Sequence, residues 1–409
     1  MKSKRVFSRF LSRSLGPWLM ILCGDALARD RYTEDWEEQR DALSKQGIAF
    51  QLSYTGSFMD HLHGGFRHGT NWQGLLDFAV MVDLEKVLGW RGAKFHAEGI
   101  WVQGPSASSL AYVGNINEVS NIQGLAATAR PYHVWLQQRL WDDKLRFTAG
   151  WMTLDTDFMI SNSANLFINS ALGPIQTWNI NFAAPVYPVA ALGFLAEWQI
   201  NKQYELQMGV YDGNTGGERG NRRSSNTRLG HDDGAAILLE GARTHEIAGL
   251  AGSIKLGTGW NTGLFIDNPT GNPVQGNGHF YGMLDQTLVH GHGKDAPDRL
   301  TFFTRVGRAI SPGRSMVDFT LDMGVTGSGF RPADQWGLMM TRSRVSRSFV
   351  AASAAGGVYS SNSETALELT YKAQFSSWLA LQPTLQHIIN PQSGTPDATV
   401  VGMVLMLTF

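Results

Sequence analysis

Over 409 residues the chain carries 34 lysines and arginines against 35 aspartates and glutamates, a formal net charge of −1, with 43% hydrophobic residues and one cysteine. That balance excludes nucleic acid as the partner, since contact with phosphates needs a basic surplus. It is also no helical membrane protein: the most apolar stretch after the amino terminus, 183–198, is broken by Pro185 and Pro188, and a spanning helix needs about 20 apolar residues.

The first 28 residues read as a secretory signal peptide. Lys2, Lys4, Arg5, Arg9 and Arg13 make a basic leader, 15–22 a short apolar core, and Ala26-Leu27-Ala28 the small residues that signal peptidase accepts, so cleavage is expected after Ala28. Cleavage would remove Cys23, five basic residues and Asp25, which moves the net charge from −1 to −5. Residues 29–46, acidic around Trp36, are expected to form a periplasmic arm or one short helix ahead of a single domain, 47–409.

From residue 47 the dominant signal is alternation with period two, the mark of a strand with one apolar face. A strand at 48–55 sets Ile48, Phe50, Leu52 and Tyr54 against Ala49, Gln51, Ser53 and Thr55. His61, His63 and His68 fall in what reads as a solvated loop, 59–71, with spacing too loose to indicate a metal. Strands at 72–82 and 93–103 follow. In the latter, Lys94, His96, Glu98 and Ile100 alternate with Ala93, Phe95, Ala97 and Trp101, which turns Lys94, His96 and Glu98 toward a lumen. A hairpin, 133–141 with 144–152 around Asp142-Asp143, points His133, Gln137, Arg139 and Arg146 inward and Val134, Leu136, Leu140 and Phe147 outward.

The segment 155–176 has no strand pattern and is long for a connection, so it reads either as a loop folded into the lumen or as an external loop. A further hairpin, 192–199 with 204–211, carries Glu197, Glu205 and Gln207 against Phe194, Trp198 and Leu206. The loop 213–234 holds Arg219, Arg222, Arg223 and Arg228 and is expected outside the cell, solvated or against anionic lipopolysaccharide. Strands at 235–241, 246–256 and 259–267 precede a second Gly-rich loop, 268–293. Strands at 299–309, 316–324 and 337–341 then place Arg305, Asp318 and Asp322 inward.

The last stretch is the most regular. Thr365, Leu367, Leu369 and Tyr371 face one way and Glu364, Ala366, Glu368, Thr370 and Lys372 the other, and the chain ends with Val401, Met403, Leu405, Leu407 and Phe409 on a single face. An apolar edge ending on a bare aromatic invites aggregation in a soluble sheet, whereas a barrel abolishes the edge by closure. The expected fold is therefore all-β: a transmembrane antiparallel β-barrel of about 16 strands, closed by the strand ending in Phe409. The 46 glycines and 13 tryptophans suit tight turns and aromatic girdles.

With these elements in view the sequence resembles the carbohydrate-selective porins of Gram-negative bacteria, the OprB family. The resemblance is carried by 83–90 (DLEKVLGW), Arg139-Leu140-Trp141, 150–158, Phe167-Ile168-Asn169 and Pro185-Val186-Tyr187-Pro188. It continues in Phe303-Thr304-Arg305-Val306-Gly307, 331–337 (RPADQWG), 364–371 (ETALELTY) and 381–391 (LQPTLQHIINP). It implies a 16-stranded outer-membrane barrel through which mono- and oligosaccharides diffuse passively into the periplasm.

A hydroxyl-rich solute that sheds water needs replacement hydrogen bonds, and inward charged groups supply them in a low local dielectric. Candidate pore-lining residues are Lys94, Glu98, Arg139, Arg305, Asp322, Arg331, Asp334 and Glu368, with Trp135 as a stacking face for a sugar ring. Asp155 with Asp157, or Glu197 with Glu205, could be imagined as glycosidase carboxylates, but barrel strands give no reason to expect them in one cleft. No nucleophile, phosphate or metalloprotease motif is present, and no enzyme, cofactor or metal is expected. Expected partners are the transported sugars, outer-membrane lipid and lipopolysaccharide, and the barrel-assembly machinery through Phe409; a homo-oligomer is left open. The alternatives are an outer-membrane channel for another solute or for polysaccharide export, and a soluble secreted carbohydrate-binding β-protein.

Overall fold

The alternation that begins at Ile48 builds sixteen antiparallel strands. They are β1 (Ile48–His63), β2 (Gly69–Asp83), β3 (Ala93–Gln103), β4 (Thr128–Leu140), β5 (Leu145–Met152), β6 (Ala191–Gln199), β7 (Tyr204–Asp212) and β8 (Ala235–Ile247), followed by β9 (Leu250–Ile266), β10 (Pro273–Val289), β11 (Leu300–Ala309), β12 (Val317–Ser328), β13 (Gln335–Val345), β14 (Ser363–Ser376), β15 (Leu379–Ile389) and β16 (Ala398–Thr408). Each strand pairs with its neighbours in sequence, and β16 returns to β1 with Ser53 opposite Thr408 and Phe58 opposite Met403, so the sheet is a closed barrel. The computed structural model describes residues 39–105, 111–124, 127–227, 230, 232–291, 299–355, 361–391 and 395–409. The expected signal peptide with its Ala28 junction lies outside them, as does Arg228; of the expected arm, 39–45 is helical.

The outward face carries Phe58, Phe78, Phe95, Leu136, Phe194, Leu256, Phe280, Leu338, Leu369 and Leu385, all exposed, an apolar band of the kind that membrane barrels turn outward. Aromatic residues gather at both ends of that band: Trp72, Trp101 and Trp260 at one, Trp90, Trp141, Trp198 and Tyr204 at the other. The second end has several tight connections, including Asp142-Asp143 and Ala248-Gly249, while the first bears the long segments 104–127, 153–190 and 213–234.

Two of those long segments turn inward, and the apolar core lies between them and the inner wall. Phe158, Ile175 and Trp178 pack with Leu195, Tyr211, Leu238 and Tyr281 on one side. Leu166 and Phe167 meet Phe303 and Met339, and Val113, Val119 and Ile168 meet Ile388, Val400 and Val404. Of the two readings of 155–176, the folded-in loop is therefore the one found. The wall receives it at glycines: a Cβ on Gly307 would stand 2.3 Å from Thr177 Oγ1 and 2.4 Å from Ile175 Cγ2. Gly307→Val is accordingly expected to push the loop off the wall at a cost of about 1–3 kcal/mol, seen as a lower unfolding temperature together with larger single-channel conductance.

Three predicted elements need correction. β1 runs on through His63, so His61 and His63 belong to a strand; His61 is buried beside Asn71, 3.2 Å away, and stacks on Tyr112. The stretch read as two strands around Gly257 is the single strand β9, because Gly257 and Gly259 are notches in the inner wall, filled by Tyr281 and Trp178, and the turn falls at Ala248-Gly249. The expected loop 268–293 is mostly β10: its glycines at 276 and 278 leave room for the ring of Trp260, which lies against the outer surface where larger side chains would otherwise have revealed a strand.

Candidate functional site

The site begins with an irregularity in β4. Opposite Glu98 stands His133, but opposite Gly99 stands Pro131, so Tyr132 is an extra residue in the pairing. Such a bulge shifts the parity of side chains beyond it. Arg130, Tyr132 and His133 are all buried inward, Val134 faces lipid, and Trp135, Gln137 and Arg139 then alternate toward the lumen.

Glu98 on β3 accepts from His133 Nδ1 at 2.7 Å and His96 Nε2 at 3.1 Å. His133 Nε2 lies 3.1 Å from Thr153 Oγ1, where the folded-in loop leaves β5, and His96 stacks on Trp135 with ring centroids 4.8 Å apart. These groups line a cavity of about 310 Å³ whose far side is Asp157 of the loop and Glu197 of β6. Glu197 pairs with Arg146, which also approaches Glu205 at 3.9 Å. A neighbouring cavity of about 190 Å³ is lined by Asp157, Glu197, Glu205 and Glu240, with Lys255 3.7 Å from Glu240. Asp157, Glu197 and Glu205 thus do share a cleft, contrary to expectation from isolated strands. His96, His133, Asp157 and Glu197 were not among the sequence candidates; the inward parity of the two histidines and of Glu197 was legible, but the position of the loop was not.

Across the lumen the lining changes. A cavity of about 560 Å³ runs past Asn162, Ser163, Ser253, Thr287, Thr301 and Gln335, and an adjoining one of about 380 Å³ past Thr55, Asn165 and Gln382. One wall is acidic and the other is lined mostly by hydroxyl and amide groups, together with Asp334 and Lys372, so the interior offers mainly acceptors on one side and both donors and acceptors on the other.

The remaining candidates separate by depth. Lys94, in register with Asp83 and Gln137, and Arg139, 3.3 Å from Asp143, lie inward near the mouth with the tight turns. Arg305, Asp322 and Glu368 also face inward, but they are sealed beneath the loop and cannot reach a solute. Arg305 donates to Asp322 and to the carbonyls of Ala171, Leu172 and Gly173, and Glu368 accepts from the amides of Ile168 and Asn169, each at 2.9 Å. Glu364, four residues earlier on the same face of β14, accepts from Asn117 N at 2.9 Å and from Ile116 N. Arg331 and Asp334 lie in the turn between β12 and β13 rather than on the pore wall. They pair at 2.8 Å, Asp334 also accepts from Tyr371, and Arg331 lies over the Phe375 ring, so they brace that turn; Asp334 reaches the edge of the larger cavity. The Arg331 hydrogen bond holds the Asp334 carboxyl below the usual range.

Burial, reinforced by the nearby Glu197 carboxylate, pushes Asp157 up to about 7, with Asp155 acting in the same direction and Arg146 against it. The folded protein therefore holds this proton more tightly than the unfolded chain does. Its contribution to stability is complete below the ordinary aspartate range and is lost as pH rises through about 7. The channel consequence runs with charge: K⁺ over Cl⁻ permeability should rise between pH 6 and pH 8 as Asp157 ionises. Reversal potentials in a KCl gradient would read this, and Asp157→Asn should flatten the change.

Residues 67–409 match the family described as carbohydrate-selective porin, OprB family. The putative porin QuiX of Acinetobacter baylyi is 25% identical over 430 residues, covering 95% of this chain and 96% of its own. Porin B of Pseudomonas aeruginosa is 25% identical over 423 residues, covering 92% and 90%. Among solved structures, the high-pH structure of Pseudomonas putida OprB superposes with a TM-score of 0.83 at 22% identity, over 92% of this chain and 97% of that one. The low-pH structure of the same protein gives 0.61 at 18% identity.

Proposed function

Since the chain belongs to the carbohydrate-selective porin family OprB and is a channel of the Gram-negative outer membrane, we propose that it lets mono- and oligosaccharides diffuse passively into the periplasm. The observation that carries this reading is the cavity where the Trp135 ring borders Glu98, His133, Asp157 and Glu197. An indole face covers the apolar C–H side of a pyranose while carboxylates and imidazoles take its hydroxyls, and several such contacts at the narrowed part of a water-filled lumen favour sugars over simple ions. Binding stays weak because one side is open and the opposite wall offers mostly hydroxyl and amide partners that exchange readily, which release requires. Outer-membrane lipid against the apolar band and recognition of Phe409 during assembly complete the reading.

The test is single-channel conductance of the purified protein in a planar bilayer, titrated with glucose, maltose and sucrose. Stable openings blocked in part by one sugar at millimolar concentration support the reading and rank the solutes. Stable openings indifferent to all three sugars sink the selectivity and favour a channel for another solute.

A further inference from the structure

Where β3 and β4 pair, two histidines and a glutamate converge more closely than hydrogen bonding to a sugar requires. Glu98 Oε2 lies 2.7 Å from His133 Nδ1 and 3.1 Å from His96 Nε2, and the three atoms able to ligate all lie within 4.8 Å of one another. In a tetrahedral zinc site with bonds of about 2.0–2.1 Å, neighbouring donor atoms are about 3.3 Å apart. For the cluster to enclose an ion, the gap between the imidazole nitrogens has to shorten and the Glu98–His133 separation to widen by about 0.6 Å, both within reach of side-chain rotation. We propose that His96, Glu98 and His133 bind one transition-metal dication of the zinc type in the channel wall, and that the occupied site obstructs the pore beside Trp135.

Three further features fit an ion there. The second nitrogen of His133 meets Thr153 Oγ1 at 3.1 Å, the outer contact that orients a ligating imidazole and fixes its tautomer. The carboxylates crowd without a lysine or arginine: Asp77, diagonal to Glu98 across β2 and β3, also faces inward, and the ion-pair partners of Glu98 among the described residues are the two histidines. Beside them Asp77 Oδ1 and His96 Nδ1 are buried with no hydrogen-bond partner among the described residues, a local polarity that a dication would help to balance. The cavity of about 310 Å³ leaves room for water to complete the coordination. Two imidazoles select zinc-like ions over magnesium or calcium, which prefer oxygen donors throughout.

The test is calorimetric titration of zinc chloride into the full-length detergent-purified protein after treatment with a chelator. The expected result is one ion per barrel, at least tenfold weaker binding in His133→Ala and in His96→Ala, and no comparable binding of magnesium chloride. Zinc should also lower single-channel conductance in the wild type and leave it unchanged in His133→Ala; stable openings of that variant in metal-free buffer establish that it folds. Absence of binding below millimolar zinc overturns the proposal, as does equal binding by both variants, which would move the ion to other histidines. The titration contains no sugar, so its failure leaves the sugar site standing, and a failed sugar block leaves the zinc result readable.

Discussion

Replacing Arg305 with alanine is expected to destabilise the barrel by about 3–5 kcal/mol, the range for removing one partner of a buried ion pair, and to leave a wider channel. Its guanidinium donates to Asp322 at 2.8 and 3.0 Å and to three successive loop carbonyls at 2.7–2.9 Å. Asp322 is fully buried, and among the described residues Thr341 is the one further partner of its carboxylate, so truncation strands a charge as well as releasing the loop. The two consequences can be separated. In the pair Arg305→Met with Asp322→Leu the stranded charge is gone, so most of the lost stability should return, while the loop carbonyls remain without donors and the conductance stays high. The temperature at which the barrel loses its compact mobility in detergent gels reads the first effect, and single-channel recording the second. Unchanged conductance in both variants would show that the loop is held by its apolar contacts alone.

The second large effect concerns Trp135. Its indole borders the cavity and stacks on His96. Trp135→Ala should weaken sugar block about tenfold, equivalent to about 1.4 kcal/mol, while Trp135→Phe keeps most of it because a flat apolar face remains. The ion conductance of the alanine variant should rise, since a large ring has left the lumen. Sugar block with the same midpoint in wild type and alanine variant would place recognition on the hydroxyl and amide wall instead.

Strand parity was readable wherever outward side chains were large. Leu367, Leu369 and Leu385 announced β14 and β15, and the closing role of β16 followed from Val401 to Leu407. It failed where a tryptophan or tyrosine of one strand occupies the place of a side chain on the next, as at Gly276 and Gly278 beneath Trp260. The same limit applies to the site. Parity correctly turned Glu98, Trp135, Arg305 and Glu368 inward, but alternation specifies a face and not what covers it. Whether an inward charge meets water or a folded loop depends on contacts between residues about two hundred positions apart, such as Glu368 with Ile168, and no local pattern encodes those. The bulge at Tyr132 did leave a mark, Pro131 just before it, because a residue without a backbone N–H is confined within a sheet to edges and bulges; reading the strand from His133 passed over it.

The chain order of the loop anchors also sets a sequence of events. Residues 116–117 and 168–173 are synthesised and exported well before Arg305, Glu364 and Glu368, the groups that hold them. Until β11 and β14 enter the growing sheet, those loop amides and carbonyls have no native acceptors or donors, and contacts of such separation form late because the intervening chain must first be ordered. The narrowing is therefore a property of the assembled sheet rather than of the loops alone, since their chain leaves the wall at β3 and β5 while the groups that hold them sit on β11 and β14.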